Sequence, residues 1–177
     1  MNPLLIISFL IPVAVIFLNL SGWVDPDGKI SGEWSQIERN GMTLRWSAGK
    51  EFLDLEMRSP QQGWVAIGFN PRSGLKGTHL LMGRVQNGKA EVSDRTILAP
   101  GDHQAISNLG EVPWPIQVKG SESSSGTVVR FRLPLHRSDQ WRHQLEAGRT
   151  YYVLMAFSRS DDFDHHSIMR TEVKITL

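Results

Sequence analysis

The chain has no cysteine among its 177 residues. That absence excludes a disulfide framework, cysteine-ligated zinc, iron–sulfur clusters and covalently attached c-type haem. Any cofactor must be held by His, Met, carboxylate or burial alone. An excess of one charge is also lacking: 19 Lys and Arg oppose 18 Asp and Glu, spread without runs. Neither the basic stripe of a nucleic-acid binder nor an acidic solvating tail is present, so nucleic acid is not a partner class for this chain. Catalytic signatures are missing as well. There is no Gly-x-Ser-x-Gly, no His-Glu-x-x-His and no phosphate-binding glycine loop. Paired carboxylates for glycoside hydrolysis are defined by separation in space and leave no trace in sequence. The composition favours a binding or electron-transfer module over an enzyme with its own acid–base machinery.

Helical periodicity is scarce too. One short stretch, "SDQWRHQL" (138–145), carries it: Ser138 is placed to cap a turn, and Trp141 and Leu145 fall four apart. The other segments read as strands. "ERNGMT" and "VQNGKA" place Asn-Gly between extended flanks, the strongest local signature of a two-residue hairpin. In "FLDLEMR", Leu53, Leu55 and Met57 alternate with Asp54, Glu56 and Arg58; "VVRFRL" and "TEVKITL" alternate in the same way. Each predicts one buried and one wet face. "WVAIGF" (64–69) and "YYVLMAF" (151–157) are apolar at nearly every residue, as expected of central strands covered on both sides. Ala99 to Ser125 is rich in Gly, Pro and Ser and reads as long loops with one short strand. The expected fold is all-β, an antiparallel immunoglobulin-like sandwich of about eight to ten strands with one short helical turn.

From Leu4 to Leu20 every residue is apolar except Ser8, Pro12 and Asn19, and no charged side chain precedes Asp25. Residues 1–22 therefore read as a signal peptide or an N-terminal membrane anchor, with Ser21 and Gly22 the small residues nearest a cleavage point. Seventeen helical residues rise about 25 Å, marginal against a hydrocarbon core of about 30 Å. The expected compartment is extracytoplasmic, with membrane contact only through this segment. Residues 23–177 are enough for one domain with its own core and too few for two.

The stretch "SDDFDHHSIMR" (160–170) packs three acids and the adjacent pair His165 and His166 into a loop before the last strand. Neutral imidazole ligates zinc, copper, nickel and haem iron, and neighbouring carboxylates add oxygen donors or orient the ring. A metal site over Asp161, Asp162, Asp164, His165 and His166 would suit zinc or copper better than calcium; the alternative is a solvated turn. His103, His136 and His143 have no partner at ligand-like spacing and read as surface residues. Of the six tryptophans, Trp46 and Trp64 read as core, and Trp114 in "VPWP" as the ring free to meet a sugar or partner.

Three stretches in order, "GWVAIGFNPRSGLKGTHLLMGRVQNGKAEVSDR", "GTVVRFRLPL" and "LEAGRTYYVLMAFSRSDDFDHHSIMRTEVKITL", resemble the DOMON domain, from about Ile30 to Leu177. This extracytoplasmic β-sandwich is related to the cytochrome domain of cellobiose dehydrogenase. The resemblance implies a ligand pocket between the sheets, binding b-type haem in some members and sugars in others. It also implies a redox partner protein or a membrane oxidoreductase. Haem-binding members hold the iron between a methionine and a histidine. The histidine falls on His166, with His165 in the place of the family's tyrosine, and the methionine position holds Leu75. Leucine has no lone pair for iron, so the haem would be five-coordinate or would recruit Met82 or His79 from the adjacent strand. Residues three apart face opposite sides of a strand, so at most one of these two faces the pocket. The plain readings are a core methionine for Met82 and a partly exposed strand histidine for His79. The expected function is haem binding for electron transfer or haem sensing; the alternative is a haem-free carbohydrate-binding or protein-interaction module of the same fold.

Overall fold

A computed structural model of the chain describes residues 33–177. The expected export segment, 1–22, and Trp23 lie outside the described residues. Two Asn-Gly steps set two hairpins. Asn40 and Gly41 have φ of 51° and 79°, and Asn87 and Gly88 of 53° and 74°, the positive pair that a two-residue turn needs to match strand twist. The first joins β1 (Ser35–Arg39) to β2 (Met42–Ala48), the second β5 (His79–Gln86) to β6 (Lys89–Ala99). The other strands are β3 (Phe52–Arg58), β4 (Val65–Asn70), β7 (Asp102–Ala105), β8 (Ile116–Ser123), β9 (Gly126–Pro134), β10 (Thr150–Phe157) and β11 (Met169–Thr176).

They form two antiparallel sheets, a five-stranded one in the order β1-β2-β3-β9-β8 and a six-stranded one in the order β11-β10-β4-β5-β6-β7. The expected sandwich is present, with eleven strands among the described residues. Strand periodicity built the space between the sheets. Leu44, Trp46, Leu53, Leu55, Met57, Val129, Phe131 and Leu133 from one sheet meet Val65, Ile67, Phe69, Leu81, Val153, Met155, Val173 and Ile175 from the other in one buried cluster.

The helical turn lies elsewhere than expected. A 3₁₀ turn spans Ile106–Leu109, whereas 138–145 is irregular. Asp139 explains this: its Oδ1 accepts the amides of Trp141 and Arg142 at 2.8 and 2.9 Å, its Oδ2 binds the Arg142 guanidinium, and the Trp141 carbonyl accepts from Thr96. Side-chain bonds replace the helical ladder.

The wet face expected for β3 is also corrected: Asp54 and Glu56 are buried. Register places Arg132 opposite Asp54 and Arg130 opposite Glu56, and ion pairs close at 2.6 and 2.5 Å. Long arginine stems cover the carboxylates. Trp114 is corrected in the same sense. Its ring is buried, edge-on to His79 at 5.5 Å and with the Arg142 guanidinium 3.9 Å from its centroid.

Candidate ligand-binding hollow

The strands apolar at every position have a second apolar side, facing out of the sandwich. Strand alternation sends Ala66 and Gly68 of β4, Leu80 and Met82 of β5, and Leu154 and Ala156 of β10 to the outer face of the six-stranded sheet. Register sets Ala66 beside Met82 and Ala156, and Gly68 beside Leu80 and Leu154. With Trp64, Ile97 and Phe163 these residues make a second buried apolar cluster, separate from the one between the sheets. Its middle row is low because its side chains are small. A Cβ at Gly68 would sit 2.4 Å from Thr78 Cγ2, so only glycine fits there.

Loops from both ends of these strands wall the row. The β4–β5 loop carries Leu75, packed on the apolar floor. Buried Asn70 ties this loop through Nδ2 to the carbonyls of Gly74 and Lys76 and to Thr78 Oγ1, and Glu172 of β11 accepts from Ser73 Oγ and the Gly74 amide. At the other end the β10–β11 loop carries His165 and His166. Phe163 anchors it, with the guanidinium groups of Arg84 and Arg95 at 4.5 and 5.5 Å from its ring centroid. Ser158 Oγ donates to the His166 carbonyl, and Arg84 donates to the Asp161 carbonyl. Five residue steps separate the ends of β4, roughly 17 Å at strand rise. The third wall is the β6–β7 turn, with Gly101, Asp102 and His103.

The hollow so formed has a volume of about 150 Å³ and is lined by Trp64, Leu75, Met82, Leu154, His166 and Arg170 among others. Sites that engulf a drug-sized ligand hold roughly 300–1,000 Å³. This one would grip a larger ring on one side and leave an edge in solvent. It also lies on the outer face, not between the sheets as the resemblance implied, because core side chains fill the inter-sheet space.

Of the four residues that the resemblance named for the haem site, Leu75, Met82 and His166 line this hollow. His79 does not. Three positions from Met82, it faces the opposite side of β5 and is fully buried, not partly exposed, with Nε2 2.8 Å from Asp94 Oδ1. Asp94 also accepts from the Trp114 amide and from Arg142. Burial pushes the Asp94 carboxyl up, but the hydrogen bond and charge of His79, the Trp114 amide and Arg142 outweigh it and hold the group below its ordinary 3.8.

His165 and His166 are exposed, and neither ring has a hydrogen-bond partner among the described residues. The mixed carboxylate and imidazole metal site over 161–166 does not form: no group of three or more such side chains able to hold a metal ion occurs among the described residues. Asp162 Oδ1 accepts the Asp164 amide, Asp164 pairs with Arg95 at 3.3 Å, and Phe163 points inward, so the donors diverge.

His103, read from sequence as a surface residue, is half-buried and borders the hollow. Its place comes from pairing with Ile97 across β6 and β7, a register that spacing along the chain does not reveal. Arg170, the last residue of the 160–170 stretch, also borders the hollow.

A model of the DOMON domain matches residues 38–158, well over half of the chain. The chain belongs to the DOMON domain family. Among curated proteins it is similar to MOXD1 homolog 2 of Drosophila melanogaster, 24% identical over 125 residues that cover 71% of this chain and 16% of that protein. The chain thus spans about a sixth of the length of the curated relative it matches. Within the DOMON match lie the floor and the Leu75 wall; the His165–His166 wall lies just beyond it. No helix among the described residues is long and apolar enough to cross a membrane.

Proposed function

We propose that this DOMON domain binds a flat apolar ring ligand in the outer hollow, with b-type haem the leading ligand and His166 its axial donor. The observation that carries the reading is an imidazole without a hydrogen-bond partner standing beside an apolar floor. An iron porphyrin needs that pair of features: a neutral ring nitrogen for the metal and a dry surface for the macrocycle. Leu75, Leu80, Leu154, Ile97 and Trp64 would exclude water from one face. Met82 lies in the floor as a thioether, and Leu75 offers no donor, so His166 would act as the single strong ligand. When bound, haem supplies a one-electron couple; the chain supplies binding, orientation and the local dielectric. Electron transfer or haem sensing outside a membrane, with a redox partner protein or membrane oxidoreductase, follows as the role.

Absorption spectra test this. Protein exported in a haem-replete host and titrated with haemin is expected to give a stoichiometric Soret band that His166→Ala abolishes and His165→Ala leaves. No binding by a well-folded wild type would overturn the reading.

A haem-free module rests on one observation, leucine at 75 where a second donor would stand. A sugar-binding version of it has little support, because no aromatic side chain among the described residues is exposed; Trp34, Phe52, Trp141 and Tyr152 are half-buried.

A further inference from the structure

Three histidines border the hollow, and one is chemically different from the others. Arg95 Nη1 lies 2.8 Å from His103 Nδ1. A guanidinium can only donate, so Nδ1 must accept, and the proton of the neutral ring is on Nε2. His103 is thereby withdrawn from iron ligation through either nitrogen and presents an N–H donor. Its pairing opposite Ile97, a floor residue, puts it on the ligand side of the sheet. Burial and the charge of Arg95 hold the ring below its ordinary pKa of 6.5, against the pull of Asp164 and Asp102.

The two carboxylates that act on it already have partners. Asp164 is paired with Arg95, and Asp102 accepts from Gln104.

We propose that His103 is a ligand-facing hydrogen-bond donor, fixed in that role by Arg95, and that it binds a carboxylate at the edge of the ring ligand. This rests on the hollow being the ligand site and names the ligand's class: a flat apolar ring bearing an acidic edge. It does not depend on iron.

The test compares metal-free protoporphyrin IX with its dimethyl ester, followed by porphyrin fluorescence, on the wild type, His103→Leu and His103→Gln. A charge-assisted hydrogen bond leads us to expect about a tenfold preference for the diacid. His103→Leu is expected to lose that preference while keeping its affinity for the diester, and His103→Gln, which keeps a donor near the Nε2 position, to regain most of it. Equal affinity for diacid and diester in the wild type, or an undiminished preference in His103→Leu, would overturn the inference and leave the haem reading standing. Failure of both porphyrins and of haemin to bind the folded wild type would overturn both.

Discussion

Leu75 and His166 border one hollow from loops that leave opposite ends of the same pair of strands, β4 and β10. The register of those strands, and not proximity in sequence, brings them to one hollow. Replacing Leu75 by Met is close to volume-conserving and is expected to cost less than about 1.5 kcal/mol of stability. It adds a thioether donor on the wall facing His166. The reduced haem spectrum should then change from a one-ligand to a two-ligand form, and unchanged bands would place Leu75 away from the iron.

Phe163 holds the His166 loop through its buried ring, with the guanidinium groups of Arg84 and Arg95 against it. Phe163→Ala is expected to lower stability by about 3 kcal/mol. Limited proteolysis should then cut within 158–168 faster, while unfolding stays cooperative because the inter-sheet core is untouched. Loss of haemin binding should accompany the cut.

Arg142 neutralises two carboxylates at once, Asp94 at 2.7 Å, buried with it, and the half-buried Asp139 at 2.5 Å. Arg142→Met strands the Asp94 charge and is expected to cost about 3–5 kcal/mol. The double variant Asp94→Asn, Arg142→Met should recover a large part of that loss in a thermal melt. If the two single losses simply add, the pair is not coupled as described.

Acid should weaken the fold through the same cluster. Asp139, like Asp94, is raised by burial but held below 3.8 overall by Arg142 and the Trp141 amide. A carboxyl with a depressed folded pKa contributes stability that is full above the unfolded value and lost as pH falls through the folded one. Urea midpoints are therefore expected to hold above about pH 5 and fall below about pH 4, with a smaller fall in Asp139→Asn.

Asp161 has the opposite sign. Burial and the charges of Glu122 and Glu91 raise its carboxyl despite Arg84, so the folded state favours the protonated form and loses stability as pH rises through the raised value. Asp161→Asn is expected to raise the urea midpoint at neutral pH and to leave it nearly unchanged near pH 3. A lower midpoint at neutral pH would contradict this.

Local chemistry made much of this fold legible. Asn40-Gly41 and Asn87-Gly88 announce their turns because few other residues adopt two positive φ angles in succession. Leu53, Leu55 and Met57 announce a core face because a strand has period two. What stayed hidden depends on partners far along the chain. The burial of Asp54 and Glu56 needs Arg132 and Arg130, which β9 brings from 78 and 74 residues away. Trp114 looked free because its cover, Arg142, comes from a segment whose Asp139 suppresses the helix that its spacing suggests. His103 became visible only once β7 had paired with β6. The apolar run 64–69 signalled cover on both sides, but whether protein or ligand supplies the outer cover is not written in apolarity.

The two apolar clusters, one between the sheets and one under the hollow, share no buried residue. Substitutions at Leu75, His103 or His166 therefore fall outside the set of contacts that makes the sandwich fold. Descendants of such a chain can exchange one ligand for another, or abandon ligands altogether, without first losing the protein. Ligand identity in this architecture is a trait free to drift while the scaffold stays fixed.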